Sequence, residues 1–267
     1  MGVICDLRLI DHERVVMDGR RAVDRALSAK DPNILREYIA SLPLEINPAA
    51  IAMREERLAR LREFQAPPMI IENEERHLAE AKGLAYRPEA LALLSIDQLR
   101  ETLGRWNWAN WSYSLDKAWS ELEWFLQPAE GQGDLLLYPP RPRVGEASQT
   151  LLDKALHGGQ PSPRDGSGAP LIRTCGSPDE DCFGYNDPPT AAAIDGVLQA
   201  IDPGQWNEPL ARRAALHRQA ASDLLEDEVA EIADQELEFA RDAFRILRQV
   251  YRDAADRGFG VACEYSL

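Results

Sequence analysis

The stretch Leu210–Arg257 constrains the fold more than any other. It reads as helical almost throughout, with an apolar stripe at Leu225, Val229 and Ile232 that continues at Ala240, Ala243, Phe244, Leu247, Val250, Tyr251 and Ala254. A helix of that length with one apolar face needs other elements to cover it. Gly258 supplies the stop, and Phe259–Ser266 alternates as a last strand. The N-terminal Gly2–Ile10 is apolar and loosely alternating, a first strand. Strands at both ends with helices between predict an α+β fold, mostly helical, whose small sheet contains the N- and C-terminal strands.

A second constraint is SLDKAWSELEWFL, Ser114–Leu126. Leu115, Trp119, Leu122 and Phe125 recur at helical spacing, with Ser114 as N-cap and Asp116 in the first turn. Lys117, Ser120, Glu121 and Glu123 are assigned to the solvated face. Asp11–Ala29 reads as a helix, Asp31-Pro32 starts another, and Asn47-Pro48 opens a mixed-charge helix running to about Phe64. Met69–Ile71 is expected as a short strand or an extended connector. Helices follow over Glu72–Gly83 and Pro88–Gly104, with a restart at Ser95–Gln98. Leu135–Tyr138 reads as a strand, Ser148–Leu156 as a helix ended by Gly158-Gly159, and Thr190–Ile201 as a clean helix. Between them Gln160–Pro189 is expected to be a long loop.

Charge narrows the function classes. The net charge is −15, and Asp179–Leu267 alone carries 19 acidic against 8 basic residues. Sequence-independent nucleic-acid binding needs a basic face, so it is not expected. No apolar run approaches a membrane span and no leader pattern opens the chain, so a soluble, cytoplasmic protein without a membrane partner is expected. Asp223–Glu238 holds eight acids and no base, whereas Arg241, Arg245, Arg248, Arg252 and Arg257 follow it. Such an acidic block steers a basic partner, or simply solvates a helix face. The aromatic run Arg105–Tyr113 (RWNWANWSY) is either a partner anchor or a lid over the core. Cys175 and Cys182 flank an acidic loop but offer too few ligands for a metal.

The segments MGVICDLRLI, LDKAWSELEWFL, ALHGGQP, GYNDPPTAAAIDGVLQAI and DRGFGVACEYSL, in that order, resemble the YfbM-like family of bacterial domains of unknown function. The resemblance implies one α+β domain over residues 1–267, with a helical insertion at about 40–110 and the long loop at about 160–189. In the family's DKxWHxLH pattern the two His positions correspond here to Ser120 and Glu123. The family brings no settled activity with it.

No nucleophile elbow, phosphate loop or zinc spacing is present, and His12, His77, His157 and His217 are scattered, so no catalytic residue, cofactor or metal is assigned. The expectation is an immunity or antitoxin-type protein that binds a cognate bacterial toxin with a basic surface and occludes its active site. Its contacts are expected at Asp179, Glu180 and Asp181, at Glu226, Asp227, Glu228 and Glu231, and at Trp106 or Trp108 as an apolar anchor. The alternative is a hydrolase or other enzyme acting on a small molecule, with Glu121, Glu123 and Asp187 as its available carboxylates.

Overall fold

A computed structural model describes residues 4–116, 118–126, 149–172, 183–220 and 225–266. In chain order, β1 (Ile4–Ile10) leads into a π-helical turn, His12–Asp18, and then into α1 (Gly19–Ala29), α2 (Pro32–Ser41), α3 (Pro48–Glu63), α4 (Pro68–Ala81), the short α5 (Pro88–Leu91) and α6 (Ile96–Gly104). The chain continues through β2 (Ser112–Asp116), α7 (Trp119–Leu126), α8 (Leu151–His157), β3 (Phe183–Asn186), α9 (Pro188–Ala200), α10 (Asn207–Ala220), α11 (Glu226–Arg257) and β4 (Gly260–Ser266). The fold is α+β, with one small antiparallel sheet in the order β2-β1-β4-β3. The two terminal strands are therefore neighbours at its centre. Among the described residues no helix is long and apolar enough to cross a membrane.

Two compact units share the chain. The first comprises Met1–Arg8, Tyr113–Pro161 and Gly176–Leu267, and the second Leu9–Ser112 and Ser162–Cys175. In the first unit α11 is the long spine, packed by α7, α9 and α10. Its buried stripe is Val229, Ala233, Leu237, Ala240, Phe244, Leu247, Tyr251 and Ala254, so the helical period of the sequence holds. At the N-terminal end the register differs from expectation: Leu225 is 69% exposed and Ala233, not Ile232, faces inward. Leu225 sits at the N-cap, before the helical period begins. β4 pairs antiparallel with β3, Gly184 opposite Cys263 and Asn186 opposite Val261. This places a strand inside the stretch expected as loop, because four residues there find an open edge on β4.

The second unit is helical. Asp31, Asn47 and Ser95 cap α2, α3 and α6 through their side chains, and Ser95 with Gln98 forms a reciprocal capping box at the expected restart. Many charges of α3 are used across a helix pair: Arg54 and Arg57 reach the buried Glu74 of α4 at 3.2 and 3.4 Å. Two local expectations are corrected. Met69–Ile71 is the first turn of α4, because Pro68 at the first helical position pre-sets its backbone angle. Asp11–Ala29 is not one α-helix: His12–Asp18 is π-helical, the Arg14 carbonyl accepting the Gly19 N–H five residues on as well as the Tyr38 hydroxyl.

A third correction concerns the central helix, which starts at Trp119, not at Ser114. Ser112–Asp116 joins the sheet as β2, and Tyr113 donates its hydroxyl to Asp253 on α11 at 2.8 Å. Leu115 and Trp119 are both buried, at a spacing of four that fits strand and helix periods alike. The expected strand Leu135–Tyr138 lies outside the described residues.

Candidate functional site

In the first unit, segments far apart in sequence meet at the end of α8. A capping box between Thr150 and Asp153 starts this helix, and His157-Gly158-Gly159 ends it. Gly158 takes a φ of +77°, which a side chain resists. Its backbone lies directly against Gly184 of β3, where an added Cβ would fall 1.8 Å from the His157 carbonyl oxygen and 2.7 Å from the Gly158 Cα. Two glycines are thus required for α8 and β3 to touch through their backbones.

Polar side chains close this joint. Asn186 accepts from the Gly159 N–H at 2.8 Å and donates to the Lys154 carbonyl at 2.7 Å and to the Tyr251 hydroxyl at 2.9 Å. Tyr251, from α11, donates in turn to the Ala155 carbonyl at 2.8 Å. The Ala155 carbonyl, in the last turn of α8, thus gains a partner although the Gly159 N–H four residues on is turned to Asn186, while the Lys154 carbonyl takes Asn186 in addition to the Gly158 N–H. Burial holds the Tyr251 hydroxyl well above its ordinary pKa, and it pushes the adjacent Cys263 thiol up to about 12. Both groups are therefore neutral hydrogen-bonding partners at physiological pH.

His157 faces α7, where its Nε2 lies 2.7 Å from Oε1 of Glu123 and its ring meets Trp119 edge-on at 6.3 Å. Glu123 is 7% exposed and His157 4%, so the assignment of Glu123 to a solvated face is corrected. Leu122 and Trp124 flank Glu123 and, with Phe125, are buried as well, which leaves the polar side of α7 narrow. A carboxylate–imidazole pair has the composition of a general acid–base couple. Neither residue lines the described cavities, and the pair ties α7 to α8. Periodicity could not have joined residues 34 positions apart.

The expected partner contacts fare differently from one another. Asp179, Glu180 and Asp181 lie outside the described residues, as do Cys175 and Cys182. Glu226, Asp227, Glu228 and Glu231 are all exposed at the start of α11. Glu228 accepts from the Leu225 N–H as a cap at 2.8 Å, and Glu226 lies 3.7 Å from Arg218. Trp106 and Trp108 are 3% and 6% exposed within the second unit. Trp106 packs edge-on against Trp111 at 5.5 Å, and the Arg105 guanidinium lies over Trp108 at 4.4 Å while its Nε and Nη2 bond Glu80. Both rings are core, so neither has surface to give a partner, and the apolar-anchor role is set aside.

One cluster holds the acidic end of α11 in place. Arg213 of α10 makes two hydrogen bonds to Glu236 at 2.7 and 3.0 Å, and His217 Nε2 adds a third at 2.7 Å. The Arg213 guanidinium also lies 5.0 Å above Trp124, which continues through Phe125 and Trp206 to Phe244. Burial alone would raise the Glu236 carboxyl, but the bonds from Arg213 and His217 outweigh it and hold the carboxyl below its usual range. Glu236 is thereby used inward, while the acids on the far side of the helix face solvent.

The chain was compared with protein-family models, with curated proteins and with solved structures, and nothing matched it.

Proposed function

We propose that the chain is an immunity-type inhibitor that binds a cognate bacterial toxin in the cytoplasm and occludes its active site. The supporting observation is the exposed acidic surface of Glu226, Asp227, Glu228 and Glu231 on a helix whose other face is fully packed. A basic toxin meets a preformed negative surface there, which raises the capture rate and costs little ordering on binding. The net charge of −15 extends that attraction over a Debye length of about 8 Å at physiological salt.

A hydrolase reading has less support. Asp187 caps α9 by accepting from the Thr190 N–H, Glu121 accepts from the Ser120 hydroxyl, and Glu123 is paired with His157. All three proposed carboxylates already have structural partners.

The test is co-expression with the neighbouring reading frame, followed by affinity purification and titration of the complex. Reversing Glu226, Asp227, Glu228 and Glu231 to Lys is expected to weaken binding roughly a hundredfold at low salt and to flatten its salt dependence. An affinity that does not change at low salt removes the acidic face from the interface. Recovery of the chain alone from the co-expressing cells counts against the inhibitor reading itself.

A further inference from the structure

Eight charged residues of α11 are arranged as a mirror. Asp227, Glu231, Asp234 and Glu238 are followed by Arg241, Arg245, Arg248 and Arg252, spaced alternately by four and three residues throughout. Alternating steps of four and three keep all eight side chains on one side of a helix, with a drift of about 20° per heptad. Each acid has an arginine at the same distance beyond the midpoint, which lies between Phe239 and Ala240. Within one chain the outer members cannot meet: Asp227 and Arg252 lie about 37 Å apart at 1.5 Å per residue.

We propose that α11 is the self-association face of this protein, where a second copy docks antiparallel across a two-fold axis at that midpoint. Asp227 then faces the second copy's position 252, Glu231 faces position 248, Asp234 faces 245, and Glu238 faces 241. The two-fold axis repeats each pairing, so the eight charges of each chain are all matched. An isologous contact requires such self-complementarity, and a helix that evolved only for solubility does not.

The state of these side chains supports the assignment. The four acids are exposed, and among the described residues Asp227, Asp234 and Glu238 have no cation within salt-bridge distance. On the basic half, Arg241 donates to the Pro203 carbonyl and Arg248 to Gln199, both neutral acceptors, so their charges are not compensated. Arg245 and Arg252 reach Asp242 and Asp195, but remain 79% and 46% exposed. These four arginines line a groove of about 580 Å³ with Gln199 and Pro203, the place where the second copy's acids would enter. The shallow left-handed crossing of helices with heptad-spaced contacts fits two such stripes side by side.

An interface made of exposed ion pairs is weak and salt-sensitive. Light scattering coupled to size-exclusion chromatography is expected to report twice the 29.9 kDa chain mass at low salt and the single-chain mass at high salt. The dimer dissociation constant should rise at least roughly tenfold between about 20 mM and 0.5 M NaCl. Two variants probe the register. R245E/R248E and E231R/D234R should each be monomeric at low salt, because like charges then face one another. Mixed in equal amounts, they should form a heterodimer, since every altered charge regains an opposite partner. The mixture also controls for folding, because a misfolded variant cannot restore the pairing. A wild-type chain that is monomeric at low salt and about 0.1 mM overturns the proposal. So does a mixture that stays monomeric, or self-association of either variant. The inference does not depend on the toxin reading, since it is tested on the purified chain alone.

Discussion

A methyl group at Gly184 has no room. Its Cβ would fall 1.8 Å from the His157 carbonyl oxygen, and both neighbours are backbone, so β3 and α8 would have to separate. Gly184→Ala is expected to cost at least about 1–3 kcal/mol, read as a lower urea midpoint. Gly196→Ala is the internal contrast: it lies inside α9 with nothing within 4 Å of the added carbon, and should gain about 1 kcal/mol from helix propensity. Of the two glycines at the joint, Gly158 was readable as a helix stop, while the need for Gly184 depends on what β3 packs against. Cys263 offers a chemical test at the same place. Its thiol, raised to about 12 by burial, should resist iodoacetamide at about pH 8 in the native chain and react fully in denaturant, as located by peptide mass.

At the scale of elements, the seam between α10 and α11 is held by Glu236 and should respond to acid. The carboxyl is held below its usual range in the native state, so its stabilisation is fully present above the unfolded value of about 4.3 and is lost as pH falls through the native value. Glu236→Gln should therefore be less stable than the parent by about 1–3 kcal/mol at pH 7, and the gap should narrow by about pH 3. Urea titrations at the two pH values measure this, and a gap that is constant across them would mean the glutamate acts through packing. Element boundaries were legible where a cap wrote them, as at Asp31-Pro32, Asn47-Pro48 and Ser95–Gln98. They were not legible at Ser114, where a capping residue stands in a strand: side-chain type alone does not say whether the backbone will be recruited into a sheet.

For the whole molecule, the acidic charge and the mirrored stripe compete for the same side chains. Asp227 and Glu231 belong both to the proposed toxin surface and to the proposed self-association face, so a basic partner should displace the second copy. Titrating the toxin into the low-salt dimer is expected to yield a one-to-one complex, and a stable complex of two chains with two toxins would separate the surfaces. The local features were written in the sequence. The helical period, the caps of α2, α3 and α6 and the apolar stripe of α11 from Ala240 onward depend mainly on neighbours a few residues away, and there the reading holds. Tertiary structure alone decided that the terminal strands lie side by side, that Trp106 and Trp108 are core, and that Glu123 meets His157. Those outcomes depend on which distant surfaces close on one another, and a surface carries no mark of its partner until the chain has folded.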